Sequence, residues 1–275
     1  MQKYFRLLVI TSIIFIYLII IAGAVVRMTG SGMGCPDWPK CFGSYIPPTS
    51  ETQIQWQPNF EYKKGVIVIL EEELKVALKN FTSSDHFNTN NWNTYTKHDY
   101  AKFNVLHTWI EYVNRMVSVV SGIPILLLFF VSFTYRKKNI LIPLMAIITI
   151  FAMGFQAWLG KVVVDSNLLP FRITIHMIMA FVILAILIYL LFLTKEQRNS
   201  KKAPLSFKSI LILSIVLTLA QVALGTQVRQ HVDEQLKMFG ELAIRMAKGS
   251  NLDILYPQVI INFGSIGKWL VILSA

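Results

Sequence analysis

Residues 105–134 read VLHTWIEYVNRMVSVVSGIPILLLFFVSFT. A stretch this long and this apolar can cross a hydrocarbon layer as one helix, which takes about 20 residues. Its first third is different. His107, Glu111, Asn114 and Arg115 stand 4, 3 and 1 apart, a spacing that puts all four on one helical face. Ionisable groups inside a membrane are costly and are functional candidates by default. Two readings fit this face. One is an interfacial ion pair of Glu111 with Arg115 that steadies the helix end. The other is a polar lining for a site within a bundle.

The rest of the chain makes that helix one of several. Of its 275 residues, 54% are hydrophobic and 15% charged, where a soluble domain carries about 25% charged. Further apolar runs lie at 7–26, 140–160, 173–194 and 207–226, with a weaker one at 258–275. The fold class is an all-α polytopic membrane protein. The run at 7–26 is longer than a signal-peptide core and reads as a retained first helix. The net charge of +11 does not call for a nucleic acid, because cytoplasmic loops of membrane proteins collect Lys and Arg.

Those loops set an expected orientation. YRKKN at 135–139 and KEQRNSKKAPLSFK at 195–208 are basic, whereas KVVVDSNLLPFR at 161–172 is much less so. The bias puts the N-terminus in the cytoplasm and segments 27–104 and 161–172 outside. Within the long outer loop, GVIVILEEELKVALKNF at 65–81 reads as an amphipathic helix on the membrane surface. The Asn-rich stretch at 80–100 reads as an irregular loop.

Short repeats suggest duplication. Gln156-Ala-Trp-Leu-Gly160 resembles Gln221-Val-Ala-Leu-Gly225, and Gly23-Ala-Val-Val-Arg27 resembles Gly225-Thr-Gln-Val-Arg229. Such matches fit duplicated four-helix bundles. Residues 1–200 form a complete first half, and 201–275 a partial second half with helix five and a degenerate helix six.

Helix four carries His176 among apolar neighbours. It is either a hydrogen-bonded core residue or a ligand to a metal or haem iron. With this topology Arg27, Glu111, Gln156, Gly160 and His176 converge on the outer leaflet. Glycines there admit a bulky group such as a porphyrin. Arg27, Arg115 and Arg172 are candidates to pair with propionates, Arg172 more plainly an interfacial anchor.

The motifs resemble the haem A synthase family. They are GAVVRMTGSGMGCPDWPKCFGSYIPP at 23–48, IEYVNR at 110–115, QAWLGKVVV at 156–164, His176, and QVALGTQVR at 221–229. The resemblance covers about residues 7–232. It implies an integral protein of the bacterial plasma membrane that oxidises the C8 methyl of haem O to a formyl group, giving haem A for cytochrome oxidase. It implies haem O as substrate, an auxiliary haem b in the second half, and haem O synthase and oxidase assembly factors as partners besides lipid. By position, Glu111 matches the essential glutamate, Arg115 the arginine after it, and His176 the helix-four haem ligand. Cys35 and Cys41 match a pair that can form an outer-face disulfide.

Two departures stand out. Asn114 occupies the place of a histidine in the family's E-x-x-H-R pattern, leaving His176 as the ligand of the first pocket; His107 lies too far along the helix to replace it readily. No histidine follows His231, and YPQVIINFGSIGKWLVILSA at 256–275 does not match the family's second half. The expectation is a truncated chain without the haem b pocket, impaired in activity. Rival readings are a haem-binding protein without catalysis, a membrane thiol oxidoreductase built on Cys35 and Cys41, and a transporter. The cysteines have no further thiol or histidine near them for zinc, which leaves a structural clip or a redox pair.

Overall fold

The computed structural model describes residues 2–71, 73–96, 103–194 and 204–247, with side chains only in part from 230 onward. Among the described residues five helices are long and apolar enough to cross a membrane. They are α1 (Gln2–Thr29), α2 (Val105–Ser132), α3 (Leu141–Asp165), α4 (Pro170–Leu193) and α5 (Leu205–Ala247). The chain is an integral membrane protein. A 3-10 turn, Phe133–Tyr135, extends α2.

The expected spans hold, and their ends move. The outer loop expected at 161–172 shrinks to residues 166–169. Lys161 pairs with Asp165 one turn on (2.9 Å) and carries α3 past Gly160. Asn167 and Leu168 then take left-handed φ values of 52° and 62° and reverse the chain. Pro170 opens α4, where its missing N–H costs no hydrogen bond. Helix five also outruns its expected end at 226. Residues 230–247 contain no proline and are rich in Gln, Glu, Leu, Lys, Met and Ala, all good helix formers.

The chain divides into two compact units, residues 1–213 and 214–275. In the second, residues 214–247 are helical, and the apolar run at 258–275 lies outside the described residues. In the first, α1 packs on α2 and α4, and α3 packs on the same two, so four helices close a ring. The tight core occupies one half of that ring. Phe5, Val9 and Ile16 come from the start of α1, and Ile125 and Leu128 from the end of α2. Ile142 comes from the start of α3, and Ile183, Leu187 and Leu190 from the end of α4. Toward the other end α1 buries no residue from Tyr17 to Thr29, and α2 none between Glu111 and Ser121.

Residues 61–94 hold five short strands: β1 (Glu61–Tyr62), β2 (Ile67–Leu70), β3 (Glu73–Ala77), β4 (Phe81–Thr82) and β5 (Trp92–Thr94). These strands pair with one another antiparallel, in the orders β2-β3-β5 and β1-β4. The surface helix expected at 65–81 is therefore a hairpin, and the stretch from 80 contributes two strands; residues 97–102 lie outside the described ones. The reason is two-sided burial. Ile67 and Leu74 pack with Cys35, Cys41 and Phe42, while Val68 and Ala77 pack with Tyr62 and Trp92. Alternating strands bury both faces, which one apolar helical stripe cannot. The run Ile67-Val68-Ile69 is β-branched besides, and Glu71 at φ 50° makes the reversal.

Gly43 fastens this module to the loop before it. It has φ 78°, and an added Cβ would stand 2.4 Å from Gly65 O. Gly43→Ala is expected to cost about 1–3 kcal/mol, read as a lower thermal midpoint of the purified protein. An unchanged midpoint would show that the contact gives way freely.

Candidate functional site

The first turns of α2 are laid against the loop that follows α1. Asn104 caps α2, its side chain accepting from His107 N–H (3.2 Å). Gly30 turns the chain at φ 69°, and the 3-10 turn Ser31–Met33 leads into Gly34. A Cβ on Gly34 would lie 2.5 Å from His107 O, so loop and helix backbones touch directly. Thr108 Oγ1 donates to Gly34 O (2.8 Å).

One turn further, Cys35 N–H donates to Glu111 Oε2 (2.8 Å). Arg115 Nη2 pairs with Glu111 Oε1 and donates to Cys35 O (3.4 Å). Its Nη1 donates to Asp37 O (2.7 Å) and Lys40 O (2.8 Å). Both oxygens of Glu111 are thus engaged, and Glu111 is buried at 3% exposure. The face of Thr108, Glu111 and Arg115, at steps of 3 and 4, grips the loop residue by residue. Cys35 and Cys41 form a disulfide, and both are buried.

Neighbouring groups complete the grip. Tyr95 O–H donates to Pro36 O (2.9 Å). Asp37 Oδ2 accepts from Gly43 N–H (3.0 Å), while its Oδ1 is buried without a hydrogen-bond partner. Burial pushes the Asp37 carboxyl above its ordinary value, against the pull of the Gly43 N–H and the Arg115 charge. Burial, with Asp37 and Asp165 adding to it, pushes the Tyr95 hydroxyl up to about 12 and keeps it a donor.

Across the ring, Gln156 on α3 donates from Nε2 to His176 O (3.1 Å) and ties α3 to α4. The His176 imidazole lies over Gly160, where an added Cβ would meet Cε1 at 3.4 Å. The bulky group at this glycine is the histidine itself; at Gly23, by contrast, an added Cβ would meet nothing within 4 Å. His176 Nδ1 and Gln156 Oε1 are buried without hydrogen-bond partners, and so is Asn114 Oδ1.

The residues singled out in the sequence thus fall into groups. Glu111 and Arg115 join Cys35 and Cys41 in one cluster. Gln156 joins His176. Arg27 is half-buried in the last turn of α1. Because α1 and α3 run opposite to α2 and α4, all of them lie at the disulfide end of the bundle. Arg172 is exposed and donates to Val162 O (3.3 Å), an anchor at the helix end. His107 contributes backbone atoms to the loop contact. Sequence reading missed Thr108, Gly34, Asp37 and Tyr95. Only Thr108 left a signal, one turn before Glu111 on the same face. Among the described residues no three or more His, Cys, Asp or Glu are grouped to hold a bare metal ion. An unpartnered imidazole against glycine suits instead an iron that brings its own ring of ligands.

Arg115→Met is expected to cost about 3–5 kcal/mol, because it strands a buried carboxylate. Adding Glu111→Gln should recover part of that loss, since the two substitutions are coupled. Thermal midpoints of the three variants measure the coupling, and strict additivity would refute it. Asp37 gives a pH signature. Its folded value is raised, so its contribution is full below the ordinary 3.8 and is lost as pH rises through the folded value. Wild type should therefore lose stability relative to Asp37→Asn as pH climbs from that point; parallel curves would contradict the burial.

The family described as COX15-CtaA, cytochrome oxidase assembly protein, matches residues 6–237. The heme A synthase of Shewanella oneidensis is 24% identical over 216 residues, covering 78% of this chain and 53% of that protein. The heme A synthase of Flavobacterium johnsoniae is 27% identical over 227 residues, covering 78% and 58%. A shorter segment of 64 residues is 44% identical to the heme A synthase of Bacillus licheniformis, covering 22% and 21%. The chain spans about half the length of the first two. No solved structure matches it. With a match across most of its length, a bundle of membrane-crossing helices and the carboxylate–arginine grip on a disulfide loop, the chain belongs to the COX15-CtaA family of cytochrome oxidase assembly proteins.

Proposed function

We propose that this chain acts on haem O as a haem A synthase, oxidising the C8 methyl to a formyl group, with its substrate site in the first four-helix half, residues 1–200. The observation that carries the reading is His176. Its imidazole is lodged in a membrane bundle, against Gly160, with Nδ1 buried and unpartnered. It stands at the end of the ring where α1 buries no residue from Tyr17 to Thr29 and α2 none between Glu111 and Ser121.

In this reading His176 ligates the iron of haem O and fixes the ring in place. Haem O would be held here as the substrate, and its oxidation would consume an external oxidant such as dioxygen. Gln156 holds the α4 backbone at His176 and so sets the position of the imidazole. Glu111 offers a carboxylate in a low-dielectric setting, to accept a proton or to balance positive charge developing at the C8 carbon. Arg115 orients that carboxylate, and Arg27, half-buried in the last turn of α1, is a candidate for a propionate along with Arg115. The auxiliary haem b belongs to the second half, and no step runs through it.

The basic loops at 135–139 and 195–208 support an orientation with the disulfide end on the outer face of a bacterial plasma membrane, where disulfides persist. Haem O synthase would then be the supplier of substrate, and the oxidase assembly machinery the recipient of product. The rival thiol oxidoreductase requires a sulfur that a partner can reach, and both sulfurs are buried.

The test is to express the chain with a haem O synthase in a host lacking haem A, and to separate the extracted haems by chromatography. A formyl-bearing haem is the expected product. Haem O alone, retained on the purified protein, would make this a binder rather than an enzyme. Glu111→Gln should stop conversion while leaving haem absorbance in place, and His176→Leu should remove the absorbance. Conversion unchanged in Glu111→Gln would eliminate both roles given to that residue.

A further inference from the structure

The disulfide loop carries an apolar ridge that the haem reading leaves unexplained. Phe42 and Gly43, at φ 54° and 78°, form a two-residue turn between the mutual backbone hydrogen bonds of Cys41 and Ser44. Positive φ at both central residues marks a tight hairpin. Its arms place Lys40 opposite Tyr45, and Lys40 Nζ lies 5.2 Å from the centre of the Tyr45 ring. Around that pair Trp38, Tyr45 and Ile46 are 38%, 71% and 71% exposed.

The depth of this hairpin is set by Arg115. Its guanidinium reaches the carbonyls of both Asp37 and Lys40, so the hairpin lies beside α2 rather than above it. The spanning segment Val105–Tyr135 has 31 residues, about 46 Å of helix. A hydrocarbon core of about 30 Å leaves an excess of about 16 Å. Arg115 stands ten residues from Val105, about 15 Å along the axis. Even with all the excess at this end, Arg115 sits at the edge of the hydrocarbon; an even division or a tilt sets it deeper. The ridge is held beside it through the Asp37 and Lys40 carbonyls.

We propose that the Trp38–Ile46 ridge is seated in the headgroup layer of the bilayer that the chain spans, with Lys40 turned toward lipid phosphate. Indole and phenol rings favour that layer, being apolar at one end and polar at the other. Burial of Trp38, Tyr45 and Ile46 in lipid removes an apolar patch that would otherwise face water. The anchor fixes the disulfide loop against the membrane surface as well as against α2. The inference stands on depth and exposure alone and does not rest on haem chemistry.

The full chain, reconstituted in vesicles of phosphatidylethanolamine and phosphatidylglycerol, provides the test. The fluorescence difference between wild type and Trp38→Phe isolates one indole. Lipids brominated near the headgroup should quench that difference at least about twofold more than aqueous iodide does. Ile46→Trp, added to the wild-type chain, should give a second reporter with the same preference, and it serves alone if Trp38→Phe does not fold. Quenching by iodide with no effect of brominated lipid would overturn the proposal, placing the ridge in water or against a soluble partner. So would insensitivity to both, which would bury the ridge within the protein.

Discussion

The guanidinium of Arg115 is the interaction on which the disulfide end of the bundle depends. A loop entering at the level of a spanning helix brings carbonyl groups that bilayer lipid cannot satisfy. Arg115 meets those of Cys35, Asp37 and Lys40 and still reaches Glu111. Only arginine has five donors in a flat fork, so a lysine here would leave carbonyls unmatched. Its charge needs a counter-charge at that depth, which Glu111 supplies. Glu111 in turn is fixed by Cys35 N–H. Carboxylate, cation and loop therefore form a single unit, and none is explicable alone.

This arrangement sharpens what a chemical role for Glu111 entails. A carboxylate with both oxygens engaged is held in one orientation, which suits electrostatic stabilisation without rearrangement. Proton acceptance, by contrast, would weaken the pairing with Arg115 and loosen the loop along with it. The same atoms thus couple the state of Glu111 to the seat of residues 34–41. The bundle's uneven packing serves the same end. Phe5, Val9, Leu128, Leu187 and Leu190 are fully buried in one half, while Glu111, Gln156 and His176 stand in the other.

Much of this was legible in the sequence, for physical reasons that differ from place to place. The spans were legible because the bilayer demands about 20 apolar residues of each. The face of Glu111 and Arg115 was legible because helical spacing puts them together wherever the helix lies. The partners of Arg115 were not, because they are backbone carbonyls and any residue has one. The strands were not legible either. They run 2 to 5 residues and draw their stability from partners far along the chain, such as Trp92 against Ala77. Glu71, Glu73 and Lys75 carry good helical propensity, which the two-sided burial of Ile67 and Val68 overrides.

The disulfide belongs to the same account. With both sulfurs buried beside Phe42, Ile67 and Leu74, the bond joins the bundle end to the β-module as part of one apolar cluster. Closing the ring from Cys35 to Cys41 also restricts the backbone whose carbonyls Arg115 receives. Restricting those carbonyls before the guanidinium meets them lowers the ordering cost of each hydrogen bond, the general advantage of preorganisation. A bond whose chief role was electron exchange would instead be placed within reach of a partner thiol. Burial and backbone geometry together favour a clip that holds three acceptors in position for one cation.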